Sequence, residues 1–252
     1  MSVQRPTDRQ PSHPGVGVAL VLAVVLWAAP ARAASIDNLL AEAGSAISNR
    51  AFENALDLAN QAVGAAPTDA RAYIIRSRVH YRLRDYTASI TDVDTALSIA
   101  PDTPASFTLR GMSEYQLGQF QAAIADFSRT IATAQESTTA YRWRGFTYFV
   151  LGKNENAVVD LTAALHGETR DPEPYRIRGL ALARLGRIDA AIADYKQALR
   201  LHGDPAKLEY LLGNAYAAQG AMAEADRAYG RIGACWGTRC PPPPPAGETD
   251  GE

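Results

Sequence analysis

Apolar residues recur with helical rather than strand spacing along most of the chain, and the pattern repeats. Tyr73-Ile-Ile-Arg-Ser, Phe107-Thr-Leu-Arg-Gly, Tyr141-Arg-Trp-Arg-Gly and Tyr175-Arg-Ile-Arg-Gly lie 34 residues apart. That register gives six units, 36–69, 70–103, 104–137, 138–171, 172–205 and 206–239, with no insertion between them. Position 8 of each unit is small (Ala43, Ser77, Gly111, Gly145, Gly179, Gly213), and so is position 20 (Ala55, Ser89, Ala123, Ala157, Ala191, Ala225). Small residues at both positions predict two helices whose backbones approach closely. Positions 20, 24, 27 and 28 carry the spacing of one apolar helical stripe. Position 17 is mostly large and apolar, with Asn154 the exception. Gly118, Gly152, Gly186 and Gly220 are placed to end a first helix, and Pro172 and Pro174 to open one. Each unit is therefore predicted to be a helix–turn–helix, and the chain all-α.

Both ends depart from this pattern. Arg5 and Arg9 precede an uncharged apolar run from Val16 to Ala29, followed by Ala31-Arg32-Ala33. This order matches a signal peptide, residues 1–33, cleaved after Ala33. The run is shorter than the roughly 20 residues of a spanning helix, so no stable membrane span is expected after cleavage. The destination would be the bacterial periplasm or the outside of the cell. At the other end, residues 234–252 hold Cys235-Trp-Gly-Thr-Arg-Cys240, five prolines from Pro241 to Pro245, and an acidic end. The two cysteines, the chain's only ones, are expected to form a structural disulfide. Trp236 would fold over the last helix as a cap, or the proline run would serve as a free spacer or ligand.

The 34-residue period resembles that of the tetratricopeptide repeat family. Gly145, Tyr148, Ala157 and Leu161 match its pattern in the fourth unit; Gly179, Ala191 and Tyr195 match in the fifth. The resemblance implies a right-handed superhelical solenoid of six repeats whose concave surface, lined by first helices, binds peptide. Arg in place of Leu at position 7, and Gln135 and Thr169 in place of the closing Pro, depart from the pattern.

Two charged positions vary together. The four internal units hold Arg76, Arg110, Arg144 and Arg178 at position 7, and Asp92, Asp126, Asp160 and Asp194 at position 23. Units one and six lack both charges: Glu42 accompanies Leu58, and Leu212 accompanies Ala228. An Arg–Asp bridge between the two helices of each internal unit is expected.

With positions 4, 7, 8 and 11 used for packing, positions 2, 5, 9 and 12 share another face. That face and its neighbours carry Arg78, Arg82, Arg142 and Arg176 with Tyr81, Tyr115, Phe146 and Phe149, against one acid, Glu173. Such a groove suits an extended segment with carboxylates, which arginine can grip bidentately; Arg142 and Arg176 would fix acidic groups, and the aromatics would supply apolar contact. Alternatively these arginines lie over apolar neighbours and solvate the face. The carboxylate clamp of chaperone-tail-binding family members is not expected, since Asn214 alone occupies position 9 and Lys207 is the only lysine at position 2.

Composition narrows the function further. Lys plus Arg is 25 against 27 Asp plus Glu, which argues against a nucleic-acid binder. Without residues 1–33 the balance is 22 basic to 26 acidic, a mildly acidic protein with its arginines gathered in the proposed groove. There is no G-x-S-x-G and no H-E-x-x-H, and Gly145 to Gly152-Lys153 spaces its glycines too widely for a phosphate loop. His80, His166 and His202 have no ligand spacing, so neither metal nor cofactor is expected. The reading is an exported, non-enzymatic interaction scaffold for a protein or peptide; the alternative is a structural protein of the cell envelope that self-associates as a homo-oligomer.

Overall fold

The computed structural model describes residues 36–101, 103–135, 137–166 and 169–236, with side chains through 232. It is all-α, with twelve helices and no strand among the described residues. They are α1 (36–48), α2 (Phe52–Ala65), α3 (Ala70–Arg82), α4 (Tyr86–Ile99), α5 (Pro104–Gln116), α6 (Phe120–Thr133), α7 (Thr138–Val150), α8 (Asn154–Ala164), α9 (Glu173–Arg184), α10 (Ile188–Arg200), α11 (Pro205–Ala218) and α12 (Met222–Trp236). Second helices start at residues 52, 86, 120, 154, 188 and 222, with no drift from the repeat length. The signal-peptide region lies outside the described residues. Helix α12 carries through Cys235 and Trp236, and the rest of the tail expected over residues 234–252 lies outside the described residues. Ala234 is a strong helix former and extends the last helix past Gly233. The expected Cys235–Cys240 pairing and the Trp236 cap lie outside the described side chains.

Local chemistry sets the helix ends. Asp69, Asp85, Ser137 and Asp204 accept hydrogen bonds from backbone N–H groups in the first turns of α3, α4, α7 and α11. The turns after α5, α7, α9 and α11 use Gly118, Gly152, Gly186 and Gly220 with φ of 71 to 78°. The equivalent turns of the first two units use Arg50 and Arg84 at φ 59 and 65°.

Each helix packs on the next, and α3, α5, α7 and α9 also touch in sequence, forming one continuous face of first helices. The core runs between the two layers. The small residues at position 8 do not simply let backbones meet: each glycine holds the position-24 side chain of its partner helix. A Cβ on Gly111, Gly145, Gly179 or Gly213 would lie 2.8, 2.8, 2.6 or 2.3 Å from Phe127, Leu161, Tyr195 or Tyr229. Where position 24 is smaller, Ala59 or Val93, position 8 is Ala43 or Ser77. A buried serine relay links the second unit to the third: Ser77 Oγ lies 2.9 Å from Ser89 Oγ, which lies 2.8 Å from Ser113 Oγ.

Candidate functional site

Four arginines on the first helices clamp the array together. Nε and Nη2 of Arg76, Arg110, Arg144 and Arg178 donate to both carboxylate oxygens of Asp92, Asp126, Asp160 and Asp194, at 2.7 to 2.9 Å. The hydrogen bonds raise each arginine's pKa against the opposing effect of burial. Nη1 of the same residues reaches back to the preceding unit: to Asn60, Asp94, Ser128 and Thr162. Each guanidinium also lies 5.6 to 5.8 Å from the ring centre of the position-4 aromatic, Tyr73, Phe107, Tyr141 or Tyr175. One side chain thus joins three helices, and these residues belong to the scaffold. The link to the preceding unit was missed in the sequence, where the only signal was a short polar residue at position 25. The sixth unit is held differently: Arg231 donates to both oxygens of Glu209 at 2.6 and 2.7 Å, and Lys196 lies over Tyr216.

The opposite side of the first helices forms a groove. A cavity of about 660 Å³ opens between α3, α5 and α7, lined by Ile74, Arg78, Tyr81, Arg82, Ala105, Thr108, Leu109, Met112, Ser137, Thr139, Arg142 and Trp143. The lining combines three guanidinium groups with an apolar floor and contains no carboxylate. Arg78 and Arg82 are exposed, and neither makes an ion pair among the described residues. Tyr81 stacks edge-on against Tyr86 at 5.5 Å and accepts a hydrogen bond from Gln116 Nε2; burial pushes its phenol pKa up.

The other expected groove residues are spread more widely. Tyr115 and Phe146 flank Trp143 edge-on, with ring centres 5.3 and 5.9 Å away, and support the cavity wall without lining it. Phe149 lies under the guanidinium of Arg184, 4.4 Å from its centroid. Arg142 lines the cavity but gives Nη1 to Asp171 at 2.8 Å. Arg176 is outside it, hydrogen-bonded to Glu173 beside Asp204 and Lys207 in a cavity of about 130 Å³. The two arginines expected to lead in gripping carboxylates are thus already engaged within the chain. Trp143 was missed as a site residue because position 6 is a core position elsewhere, occupied by buried Ile75, Leu109 and Ile177. Its indole Nε1–H and the Nε–H of Arg142 are buried without a hydrogen-bond partner.

The described residues hold no cluster of His, Cys, Asp and Glu that could bind a metal ion, and no helix among them is long and apolar enough to cross a membrane. The tetratricopeptide repeat profile matches residues 40–104 and 108–172, and a second TPR repeat profile matches residues 179–220. The chain belongs to the tetratricopeptide repeat family. No curated protein sequence matches it significantly. Among solved structures it is similar to PilF of Pseudomonas aeruginosa, at 13% identity and a TM-score of 0.73, over 83% of this chain and 95% of that one. It is also similar to PilW, described as a widely conserved type IV pilus biogenesis factor, at 17% identity and a TM-score of 0.72, over 81% and 94% of the two chains. A thermophilic TPR protein of Thermus thermophilus aligns at 20% identity and a TM-score of 0.58, over 72% of this chain and 99% of that one. At these identities the likeness is one of fold.

Proposed function

We propose that this tetratricopeptide repeat chain is an exported, non-catalytic scaffold that binds an extended acidic polypeptide segment along its concave face. The observation that carries the reading is the composition of the cavity between α3, α5 and α7: three arginines, Tyr81 and Trp143 around apolar side chains, with no carboxylate in the lining. Arg78 and Arg82, exposed and without ion pairs among the described residues, are the primary grips for ligand carboxylates; Arg142 joins them when it leaves Asp171. Charge-assisted contacts set orientation, while Tyr81 and Trp143 supply apolar area at small cost in side-chain entropy. The leader pattern of residues 1–33 supports an activity in the periplasm or outside the cell.

A fluorescent dodecapeptide of repeated Glu-Ala-Glu-Phe tests the reading against its Gln-Ala-Gln-Phe analogue. Fluorescence anisotropy should show binding of the acidic peptide that weakens steeply with salt and is lost in Arg78→Glu/Arg82→Glu. Equal binding of the two peptides would refute it.

A further inference from the structure

Among the described residues, every hydrogen-bonded arginine except Arg142 presents the Nε–Nη2 edge of its guanidinium to an acceptor, the four scaffold arginines, Arg176 and Arg231 included. Arg142 gives only Nη1, to Asp171 Oδ2 at 2.8 Å. Its Nε–H is buried without a hydrogen-bond partner. The edge that grips a carboxylate with two parallel hydrogen bonds is thus unfilled on an arginine that lines the groove.

Asp171 is held in place independently of this arginine. Its Oδ1 accepts the backbone N–H of Glu173 at 3.0 Å, and its own N–H donates to Thr169 Oγ1 at 3.1 Å. The long arginine side chain is therefore the partner free to rotate, while the carboxylate stays where the loop fixes it. The pair is also open to water, with side chains 32% and 38% exposed, so solvent screens the attraction.

We propose that Asp171 is an internal competitor for the ligand's carboxylate: it occupies Arg142 in the free chain, and a ligand carboxylate takes the Nε–Nη2 edge when the side chain swings off Asp171. This rests on the groove reading above and adds the residue that sets its affinity and selectivity. The exchange replaces one screened single contact by a bidentate one and gives the unpaired Nε–H an acceptor, whose lack is costly in a buried site. Against it stands Asp171 itself, which loses its cation and remains a bare negative charge beside an acidic ligand. That opposition makes the third arginine selective. A segment whose acids reach only Arg78 and Arg82 on α3 leaves the pair closed; one with a further acid at α7 opens it.

Asp171→Asn isolates the competition. Asparagine Oδ1 still accepts the Glu173 N–H, which leaves an amide NH2 that cannot accept from Arg142. Fluorescence anisotropy of the Glu-Ala-Glu-Phe dodecapeptide compares four full chains: wild type, Asp171→Asn, Arg142→Gln and the double variant. Internal competition predicts about ten-fold tighter binding by Asp171→Asn, the order of one charge-assisted hydrogen bond, and cancellation of that gain by Arg142→Gln. Asp171→Ser, whose hydroxyl also caps the Glu173 N–H, should reproduce the gain. Equal affinity across wild type and both Asp171 variants would overturn the proposal and leave the groove reading standing. Weaker binding by both Asp171 variants would overturn it by making Asp171 the residue that positions Arg142. A gain that persists in the double variant would also overturn it, because the lost charge would then act on the ligand directly. Binding by none of the chains would remove both readings.

Discussion

Arg144 and Asp160, sixteen residues apart on facing helices, share two parallel hydrogen bonds, Nε–H to Oδ2 at 2.7 Å and Nη2–H to Oδ1 at 2.9 Å. Asp160 is 3% exposed, so the pair is strongly shielded from water. Removing only the acid leaves a largely buried guanidinium without its partner, which costs about 3–5 kcal/mol. Asp160→Ala is therefore predicted to lower unfolding stability more than Arg144→Leu with Asp160→Ala together. Denaturant melts of the two variants decide it, and equal or reversed losses would contradict the pairing energetics.

The glycine of the fifth unit makes a second prediction. A methyl group on Gly179 would lie 2.6 Å from the Tyr195 ring, which is 1% exposed and cannot easily give way. Gly179→Ala should cost about 1–3 kcal/mol through overpacking. Adding Tyr195→Val reproduces the Ser77 and Val93 volume match of the second unit and should cost less than the sum of the two single changes. Strict additivity in chemical denaturation would refute the compensation.

Glu114 gives a pH dependence. Burial, reinforced by the nearby charge of Asp126, pushes its carboxyl pKa up to about 7, against the opposing pull of Arg110. Its Oε2 is buried without a hydrogen-bond partner. The folded chain then holds a proton that the unfolded chain has released, so this group's contribution favours folding at low pH and is lost as pH rises from the ordinary glutamate range through about 7. Glu114→Gln should remove this component of the pH dependence and raise stability above pH 7, by up to the order of 3 kcal/mol. Thermal melts of both chains from pH 5 to 8 test this; parallel curves would contradict it.

The hairpin layout was readable from residues because one period governs every unit, and turn glycines and first-turn prolines mark its boundaries. The Arg–Asp pairs were readable for a related reason: position 7 and position 23 change together within the chain. Their third contact was not, because Asn60, Asp94, Ser128 and Thr162 share only a short polar acceptor and no residue type. The cavity between α3, α5 and α7 lies on the face shared by positions 2, 5, 9 and 12, but the residues expected there do not all line it. Arg142 is held by Asp171, which sits in an inter-unit loop outside the helical period, and Arg176 by Glu173 one turn earlier on its own helix. Neither competition is visible in the spacing of the groove positions. Trp143 occupies a core position in the repeat register, held elsewhere by Ile75, Leu109 and Ile177, and lines the cavity together with Leu109 at the same place.

The central claim is that Arg78 and Arg82 read negative charge on an extended ligand, and a charge-swap cycle tests it most directly. Calorimetric titrations combine wild type and Arg78→Glu/Arg82→Glu with the Glu-Ala-Glu-Phe dodecapeptide and its Lys-Ala-Lys-Phe counterpart. The account predicts binding in the two complementary pairings and loss of binding in the two like-charged ones. Retained binding of the acidic peptide to Arg78→Glu/Arg82→Glu would contradict it.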